Sequence, residues 1–301
     1  MQLPAPRQGL PNSLPQSFLD PLLQAALRED LETGDLTGEG AVPEGARAQA
    51  TLIAKQEGVL AGLDVFLRTF ALRDPECQLQ AEQVDGDRVS VGQVVARVTG
   101  NARAILSAER VALNFLQRLS GTASLTASFV ARVQHVPNVR ILDTRKTTPG
   151  LRRLEKYAVR CGGGENHRFG LFDEAMLKEN HIELAGSSIE EALERLRAHV
   201  GPGVRITAEA RDEKEAMAAL RGSADVLLLD NMSPETLIEL CPRLRAEAAR
   251  LGVSVELEAS GGIVLDNVHL YGEAGVDRIS VGALTHSAEA LDFSLLLEPA
   301  R

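Results

Sequence analysis

The second half of the chain repeats one pattern, in which a short apolar segment is followed by a loop and then by a stretch of helical periodicity. Six such segments predict strands, and they lie roughly 20–35 residues apart, at 139–143, 175–178, 204–209, 224–230, 253–259 and 276–281. Strands that alternate with helices form parallel sheets. The pattern therefore predicts an α/β fold, either a parallel barrel with fewer than eight strands or an open doubly wound sheet.

The first third of the chain has a different organisation. Apolar spacing predicts helices over 18–32 and 63–72, whereas 48–54 and 78–82 alternate as strands do. This part is predicted to be an α+β unit that ends near Gly100. After it, residues 102–119 predict a long helix, apolar on more than one side, that joins the two domains.

Composition excludes several kinds of partner. The net charge is −10, aromatic residues make up 3% and Trp is absent, which argues against binding to nucleic acid or to an anionic membrane surface. No apolar run approaches the roughly 20 residues that span a bilayer. The three cysteines are widely spaced and fit a reducing compartment, so we expect a cytoplasmic protein. Residues 1–16, rich in Pro and Gln, are predicted to form a loose tail.

Cations are concentrated between residues 143 and 181, where eight Lys or Arg and two His face six carboxylates although the whole chain is acidic. Arg145 and Lys146 follow the first predicted strand, His167 and Arg168 follow a triple glycine, and Lys178 ends the second strand. Arginine can hold a carboxylate with two parallel hydrogen bonds, and lysine adds a compact charge. The segment therefore predicts a site for a small anion with several charges.

Two carboxylates and two glycine turns follow the later strands. Glu209 and Asp230 each end an apolar strand, and a pair of carboxylates without nearby His or Cys suits Mg²⁺ held together with substrate phosphate oxygens. The loops that follow the last two strands of a barrel commonly bind phosphate through backbone N–H groups. The candidates there are Ser260, Gly261, Gly262, Gly282 and Ala283. The sequence offers no activated nucleophile, so the expected chemistry is positioning and charge stabilisation.

Long motifs in a fixed order resemble those of the quinolinate phosphoribosyltransferases. They are the run DTRKTTPGLRRLEKYAV from Asp143, GGGxNHR at 162–168, KxNH at 178–181, ERxALN from Glu109 with LSG from Leu119, LDNM from Leu229, EASGGI from Glu258 and GVDxISVGALTHS from Gly275. The segment EDLxxGDLT from Glu29 is also similar. The resemblance covers about residues 20–290.

This resemblance implies an N-terminal α/β sandwich domain over 17–114 and a C-terminal incomplete parallel α/β barrel over 115–288. Residues 289–301 would pack back on the first domain. It also implies that phosphoribosyl pyrophosphate and quinolinate react to give nicotinate mononucleotide, pyrophosphate and CO₂. Mg²⁺ would be the cofactor, and the protein would be at least a homodimer in which Arg110 reaches the neighbouring site.

Position by position, the resemblance assigns roles to the candidate residues. Arg145, Lys146, His167, Arg168 and Lys178, with Arg110 of the partner subunit, would bind the quinolinate carboxylates. Glu209 and Asp230 would serve the ribose and the Mg²⁺–pyrophosphate, and Lys146, Lys178, Glu209 and Asp230 are the expected catalytic residues. One position departs from the family pattern: Arg211 stands where an acidic residue is usual, and in a strand it would share the face of Glu209.

Three alternatives stay open at the level of sequence. A related phosphoribosyltransferase of the same fold could act on another acceptor, and a non-catalytic relative could bind phosphate without turnover. A third reading is an aldolase-like barrel in which Lys178 forms a Schiff base, which requires a lysine of depressed pKa beside an acid–base partner. The full set of cations and carboxylates favours the quinolinate enzyme over these readings.

Overall fold

The computed structural model describes residues 14–300 of the chain. Most of the predicted tail, residues 1–13, lies outside the described residues, and the first helix begins at Gln16. The chain forms two compact units. The first comprises the described residues up to Ala127 together with 148–163 and the segment from Ala288, and the second comprises 128–147 and 164–287.

The helices and strands are numbered along the chain. The helices are α1 Gln16–Leu31, α2 Leu36–Ala41, α3 Leu63–Arg73, α4 Ala102–Val133, α5 Arg152–Cys161, α6 Glu179–Ala185, α7 Ile189–Val200, α8 Glu213–Arg221, α9 Pro234–Leu251, α10 Val268–Glu273 and α11 Ala283–His286. The strands are β1 Arg47–Ala54, β2 Gly58–Val59, β3 Gln78–Ala81, β4 Arg88–Val89, β5 Val94–Asn101, β6 Arg140–Leu142, β7 Ala175–Leu177, β8 Ile206–Ala210, β9 Val226–Asp230, β10 Glu256–Ser260, β11 Arg278–Ser280 and β12 Phe293–Pro299.

The first unit is built on an antiparallel sheet with the strand order β12-β1-β5-β3. Alternate residues of β1 are buried, as expected for a strand with one face on a core. Leu52 of β1 packs in a cluster with Phe66 and Phe70 of α3 and with residues of α4. The segment that follows the second unit in sequence returns to this sheet, where Leu295 of β12 lies opposite Leu52.

Helix α4 is longer than the sequence predicts. The apolar pattern ends it near Leu119, whereas the structure continues it to Val133. Gly121 interrupts the apolar spacing, but its lack of a side chain is what the packing requires, because a Cβ there would collide with the backbone carbonyl of Glu289. The destabilising effect of glycine inside a helix is thus offset by close packing.

The second unit is built on a six-stranded parallel sheet with the order β6-β11-β10-β9-β8-β7. All six predicted strands are confirmed, and the four apolar residues of β9 are all buried, as in a sheet covered on both faces. From β7 to β11, neighbouring strands of the sheet follow one another in chain order, and β6 lies beside β11. This is the circular order of a barrel without pairing between β6 and β7, so the incomplete barrel is confirmed over the doubly wound sheet.

Local sequence signals start the helices between these strands. Ser188, Asp212 and Ser233 cap α7, α8 and α9 with side-chain oxygens that accept backbone N–H groups, and Pro234 occupies the first turn of α9. Ser233 therefore fills the cap of α9, which leaves the nearby Asp230 carboxylate for another role. Across residues 14–300, every helix is too short or too polar to cross a bilayer.

Candidate active site

The predicted polar residues of the second unit meet at the carboxyl ends of its parallel strands. Ser260, the last residue of β10, is in register with Asp230 of β9 on one side and with Ser280 of β11 on the other. Glu209 lies near the end of β8, and Lys178 follows β7 directly. Since parallel strands end at the same edge of a sheet, the fold collects these side chains at one rim.

The four predicted catalytic residues form a group of alternating charge. The Lys178 ammonium is ion-paired with the Glu209 carboxylate, whose side chain is 14% exposed. Burial raises the pKa of Asp230, the neighbouring charge of Glu209 raises it further, and Asn231, Lys178 and Lys146 act in the opposite direction. Asp230 is thus within electrostatic reach of all three other residues. The structure brings Lys146, Lys178, Glu209 and Asp230 together.

Two arginines form a second group of cations. Burial lowers the pKa of Arg168, and the nearby charge of Arg145 lowers it further. The Arg168 guanidinium donates a hydrogen bond from Nη1 to the backbone oxygen of Glu174 at 3.2 Å, which fixes its direction. Two guanidinium groups that repel each other while partly desolvated are stabilised by an anion placed between them.

His167 is held by contacts within the protein. It is 7% exposed, and its Nδ1 accepts a hydrogen bond of 2.7 Å from the backbone N–H of Arg168. Its Nε2 lies 3.3 Å from Oε1 of the buried Glu258. The sequence predicts a cation for a substrate carboxylate at this position, and that direct role stays a prediction. The contacts add a structural role that residue type alone does not reveal.

The turn after β10 has a backbone that glycine suits. Gly261 and Gly262 have φ of +92° and +63°, in the left-handed region that side chains rarely adopt. A Cβ at Gly261 would also collide with the side chain of Asn231. Two consecutive residues without side chains leave backbone N–H groups accessible beside Ser260, as a phosphate site requires.

The turn after β11 lies against Lys146. A Cβ at Gly282 would come within 3.0 Å of Lys146 Cδ and 3.1 Å of His286 Nε2. Thr285 donates a hydrogen bond of 2.7 Å to the Lys146 backbone oxygen, so α11 holds the loop that carries this lysine. The sequence patterns do not select His286, although it belongs to the GVDxISVGALTHS motif. Its position beside Lys146 makes it a further candidate for an anionic group.

Arg211 follows β8 and is engaged away from Glu209. It is ion-paired with Glu179, the first residue of α6, and with Glu215 at 2.6 Å. The strand ends at Ala210, so the face shared with Glu209 that a longer strand would impose does not arise. The charge that departs from the family pattern is therefore balanced by two carboxylates of its own.

Arg110 belongs to the first unit. It is exposed on α4 and lines a cavity of about 440 Å³ together with Asn114, Phe115 and Arg118. Its predicted part in the site of a neighbouring copy stays a prediction.

The carboxylates of the site fit Mg²⁺ as a pair of ligands that substrate oxygens complete. Among the described residues no cluster of three or more His, Cys, Asp or Glu side chains could hold a metal by itself. Glu209 and Asp230 supply two carboxylates, and Mg²⁺ often binds through one or two carboxylates plus substrate phosphates. The donor set therefore suits a metal held largely by a diphosphate substrate.

An incomplete parallel barrel whose strand ends carry paired cations, two carboxylates and glycine turns defines an enzyme for small, multiply charged anions. Comparison with known proteins identifies the family. The family model described as "Quinolinate phosphoribosyl transferase, C-terminal domain" matches residues 122–296, and the model of the corresponding N-terminal domain matches residues 35–120. The chain belongs to the quinolinate phosphoribosyltransferase family.

Individual relatives match this chain over nearly its whole length. The probable nicotinate-nucleotide pyrophosphorylase [carboxylating] of Bacillus subtilis is 43% identical, over 92% of this chain and 92% of that protein. The mitochondrial quinolinate phosphoribosyltransferase [decarboxylating] 2a of Nicotiana tabacum is 40% identical, over 96% and 84%. The crystal structure of NadC from Streptococcus pyogenes superimposes with a TM-score of 0.90 at 39% identity, covering 97% of this chain and 100% of that one.

Proposed function

We propose that the protein transfers the phosphoribosyl group of phosphoribosyl pyrophosphate to quinolinate with decarboxylation, giving nicotinate mononucleotide, pyrophosphate and CO₂ for NAD biosynthesis. The observation that carries the proposal is that two groups of charged residues lie at the same rim. Arg145 and Arg168 repel each other there, and Lys178, Glu209, Asp230 and Lys146 alternate in charge. The first group suits a dicarboxylate, the second a sugar diphosphate.

Quinolinate binds at the wall of cations that surrounds Arg145 and Arg168, which we call the cationic wall. Arg168, directed by its bond to the Glu174 carbonyl, and Arg145 hold the carboxylates, with Lys146 and Lys178 as the further contacts, while His167 holds the backbone N–H of Arg168. Guanidinium groups bind carboxylates through parallel N–H donors, and this fixes the pyridine ring in one orientation. Orientation matters here because the ring nitrogen has to face the anomeric carbon of the sugar.

The carboxylates act on the sugar. As pyrophosphate leaves, positive charge develops on the ribose, and Glu209 and Asp230 stabilise that charge in a partly desolvated site. Lys146 and Lys178 offset charge on the departing pyrophosphate. The same two carboxylates are available to Mg²⁺, which when bound neutralises diphosphate charge. Ser260, Gly261 and Gly262, with Gly282 and Ala283, seat the 5′-phosphate through backbone N–H groups.

Decarboxylation follows from the bond that has formed. The ring nitrogen attacks the anomeric carbon and becomes a pyridinium, and the electron pair left when the adjacent carboxylate departs as CO₂ is stabilised by that positive charge. A proton from water then takes up that electron pair, so that hydrogen replaces the carboxylate. The cations have to hold this carboxylate without stabilising it more in the ground state than in the transition state.

The protein acts as a homodimer or a larger assembly, in which Arg110 of the partner subunit completes the cationic wall. The exposure of Arg110 and its place in the ERxALN motif support this part of the proposal. The three free cysteines support a cytoplasmic location.

The activity is tested by incubating the purified protein with quinolinate, phosphoribosyl pyrophosphate and Mg²⁺ while following both nicotinate mononucleotide and CO₂. Nicotinate serves as the parallel acceptor. Equal amounts of product and CO₂ from quinolinate alone are the expected result. Product from nicotinate and none from quinolinate would show a relative with another acceptor, and no product from either would contradict the proposal.

A further inference from the structure

Three buried polar side chains contact one another in the interior of the second unit. Glu258, in the middle of β10, is fully buried. Its Oε2 lies 2.9 Å from Nε of the equally buried Arg278, its register neighbour on β11, and its Oε1 lies 3.3 Å from Nε2 of His167. These are ion-pairing distances, although the angles fall outside those of well-formed hydrogen bonds.

The other ring nitrogen of His167 fixes its protonation pattern. A backbone N–H can act only as a donor, so Nδ1, which receives the Arg168 N–H at 2.7 Å, has to be the unprotonated nitrogen. The ring proton is then on Nε2, the nitrogen that faces Glu258. In addition, the His167 backbone N–H donates to Asp143 at 2.9 Å, which secures the same loop from its other side.

The Glu258 carboxylate is suited to hold this ring. Burial alone would raise its pKa, but His167, Arg278 and Ser280 outweigh burial and hold the pKa of Glu258 below its usual range. A buried carboxylate that stays ionised attracts the proton on Nε2 electrostatically, since the low dielectric strengthens the interaction. Glu258 therefore selects both the orientation and the tautomer of the histidine, as carboxylates beside catalytic or metal-binding histidines do.

We propose that Glu258 is a positioning residue for quinolinate binding, which acts through His167 on the backbone of Arg168. Ionised Glu258 holds the Nε2–H tautomer, the unprotonated Nδ1 then accepts from the Arg168 N–H, and the guanidinium is directed at the substrate carboxylate. This role rests on the proposed function, because Arg168 is taken there to bind quinolinate. Glu258 itself does not touch substrate.

The chain provides a matched control on the same strand. Glu256 shares the face of Glu258, since it lies two residues earlier in β10, and it pairs with Arg140, Arg205 and Arg278 at the opposite end of the strand. Loss of its charge disturbs the ion pairs of Arg278, which Glu258 also contacts, but His167 is not among the partners of Glu256. Glu256→Gln therefore reports the effect of weakened ion pairing around Arg278 without a change at His167.

The experiment compares full kinetics and melting temperature for the wild type, Glu258→Gln, Glu258→Asp and Glu256→Gln. For Glu258→Gln we expect the KM for quinolinate to rise about tenfold or more, with the KM for phosphoribosyl pyrophosphate within about twofold of the wild type. Glu258→Asp, which restores the charge, should recover part of the loss. Glu256→Gln should lower the melting temperature and leave both KM values unchanged.

A second measurement is independent of turnover. In ¹⁵N-histidine-labelled wild-type protein, the ring of His167, assigned with a His167→Asn variant, should show a protonated Nε2 and an unprotonated Nδ1 at neutral pH. A proton on Nδ1 would overturn the proposal even if Glu258→Gln failed to fold. Equal KM values for quinolinate in wild type and Glu258→Gln would overturn it as well. If the wild type showed the expected tautomer but no activity, the proposed function would be contradicted, and not the contact between Glu258 and His167.

Discussion

The Lys178 ammonium and the Glu209 carboxylate form an ion pair that joins the ends of two neighbouring strands, β7 and β8. The carboxylate is almost enclosed whereas the lysine side chain is 42% exposed. A fixed, partly desolvated negative charge is therefore built into the rim at the position where positive charge is expected to develop on the sugar.

Glu209→Gln should lower kcat by about 100-fold while the KM for quinolinate stays within about threefold, since the carboxylate acts on the transition state. Steady-state kinetics with both substrates measure this. Glu213→Gln removes a more exposed carboxylate, paired with Arg243 at 2.8 Å, and should leave kcat unchanged. A selective rise in the KM for quinolinate in Glu209→Gln would place the residue among the acceptor contacts instead.

The Asp230 carboxyl should titrate at a higher pH than an exposed aspartate, because burial and the charge of Glu209 both raise its pKa. Glu209→Gln removes one of these causes and frees Lys178, so the titration should move to lower pH. Carbon-13 NMR of the Asp230 carboxyl in both proteins measures the shift. An unchanged midpoint would mean that the two carboxylates do not interact.

Gly261→Ala and Gly262→Ala form a pair that separates backbone strain from collision. Both positions have positive φ, but only at Gly261 would the new Cβ also meet Asn231, whereas nothing lies within 4 Å at Gly262. Alanine at 262 should reduce stability by about 1 kcal/mol from strain alone. Gly261→Ala should cost more and weaken binding of phosphoribosyl pyrophosphate, as urea unfolding and isothermal titration would show. Equal effects would refute the collision argument.

Asp64, in the first turn of α3, carries a stability effect that depends on pH. Burial, and secondarily the charge of Asp85, raises the pKa of Asp64 to about 6. The folded state binds this proton more tightly than the unfolded state, so the stabilisation is complete below the unfolded value near 3.8 and is lost as pH rises through about 6.

Asp64→Asn keeps the side chain neutral and should therefore stabilise the protein at pH 8 by about 1–2 kcal/mol, a value reduced for partial exposure, with little effect at pH 4. Urea unfolding at the two pH values measures the difference. The same gain at both would show that a cause other than ionisation is responsible.

Arg110 is tested by mixing. An Arg110→Ala chain and an Arg145→Ala chain should each be nearly inactive alone, whereas a mixed dimer would contain one site with both arginines intact. Mixing after subunit exchange should restore up to about a quarter of wild-type activity, the share of intact sites in a random mixture of two chains that pair as symmetric dimers. No recovery despite proven exchange would contradict a role in trans.

Sequence patterns predicted the strands of the second unit well because buried parallel strands are short, apolar and followed by polar residues. They could not predict the end of α4, since the tolerance for Gly121 depends on the backbone of Glu289, far away in sequence. The contacts of His167 were missed for the same reason. Its residue type indicates a cation, and its tautomer depends on Glu258, which another strand supplies. The sequence nevertheless contains a signal for a polar interior, because Glu256, Glu258 and Ser260 occupy alternate positions and therefore share one face of β10.

The pairing of β12 with β1 affects how the protein folds as it is made. β12, at one edge of the first sheet, is translated after all six parallel strands of the second unit. Until then β1 has β5 on one side and unpaired backbone groups on the other, an edge prone to pairing with other chains. The first unit begins synthesis early but completes its sheet late, so the nascent chain has to protect that edge throughout production of the barrel.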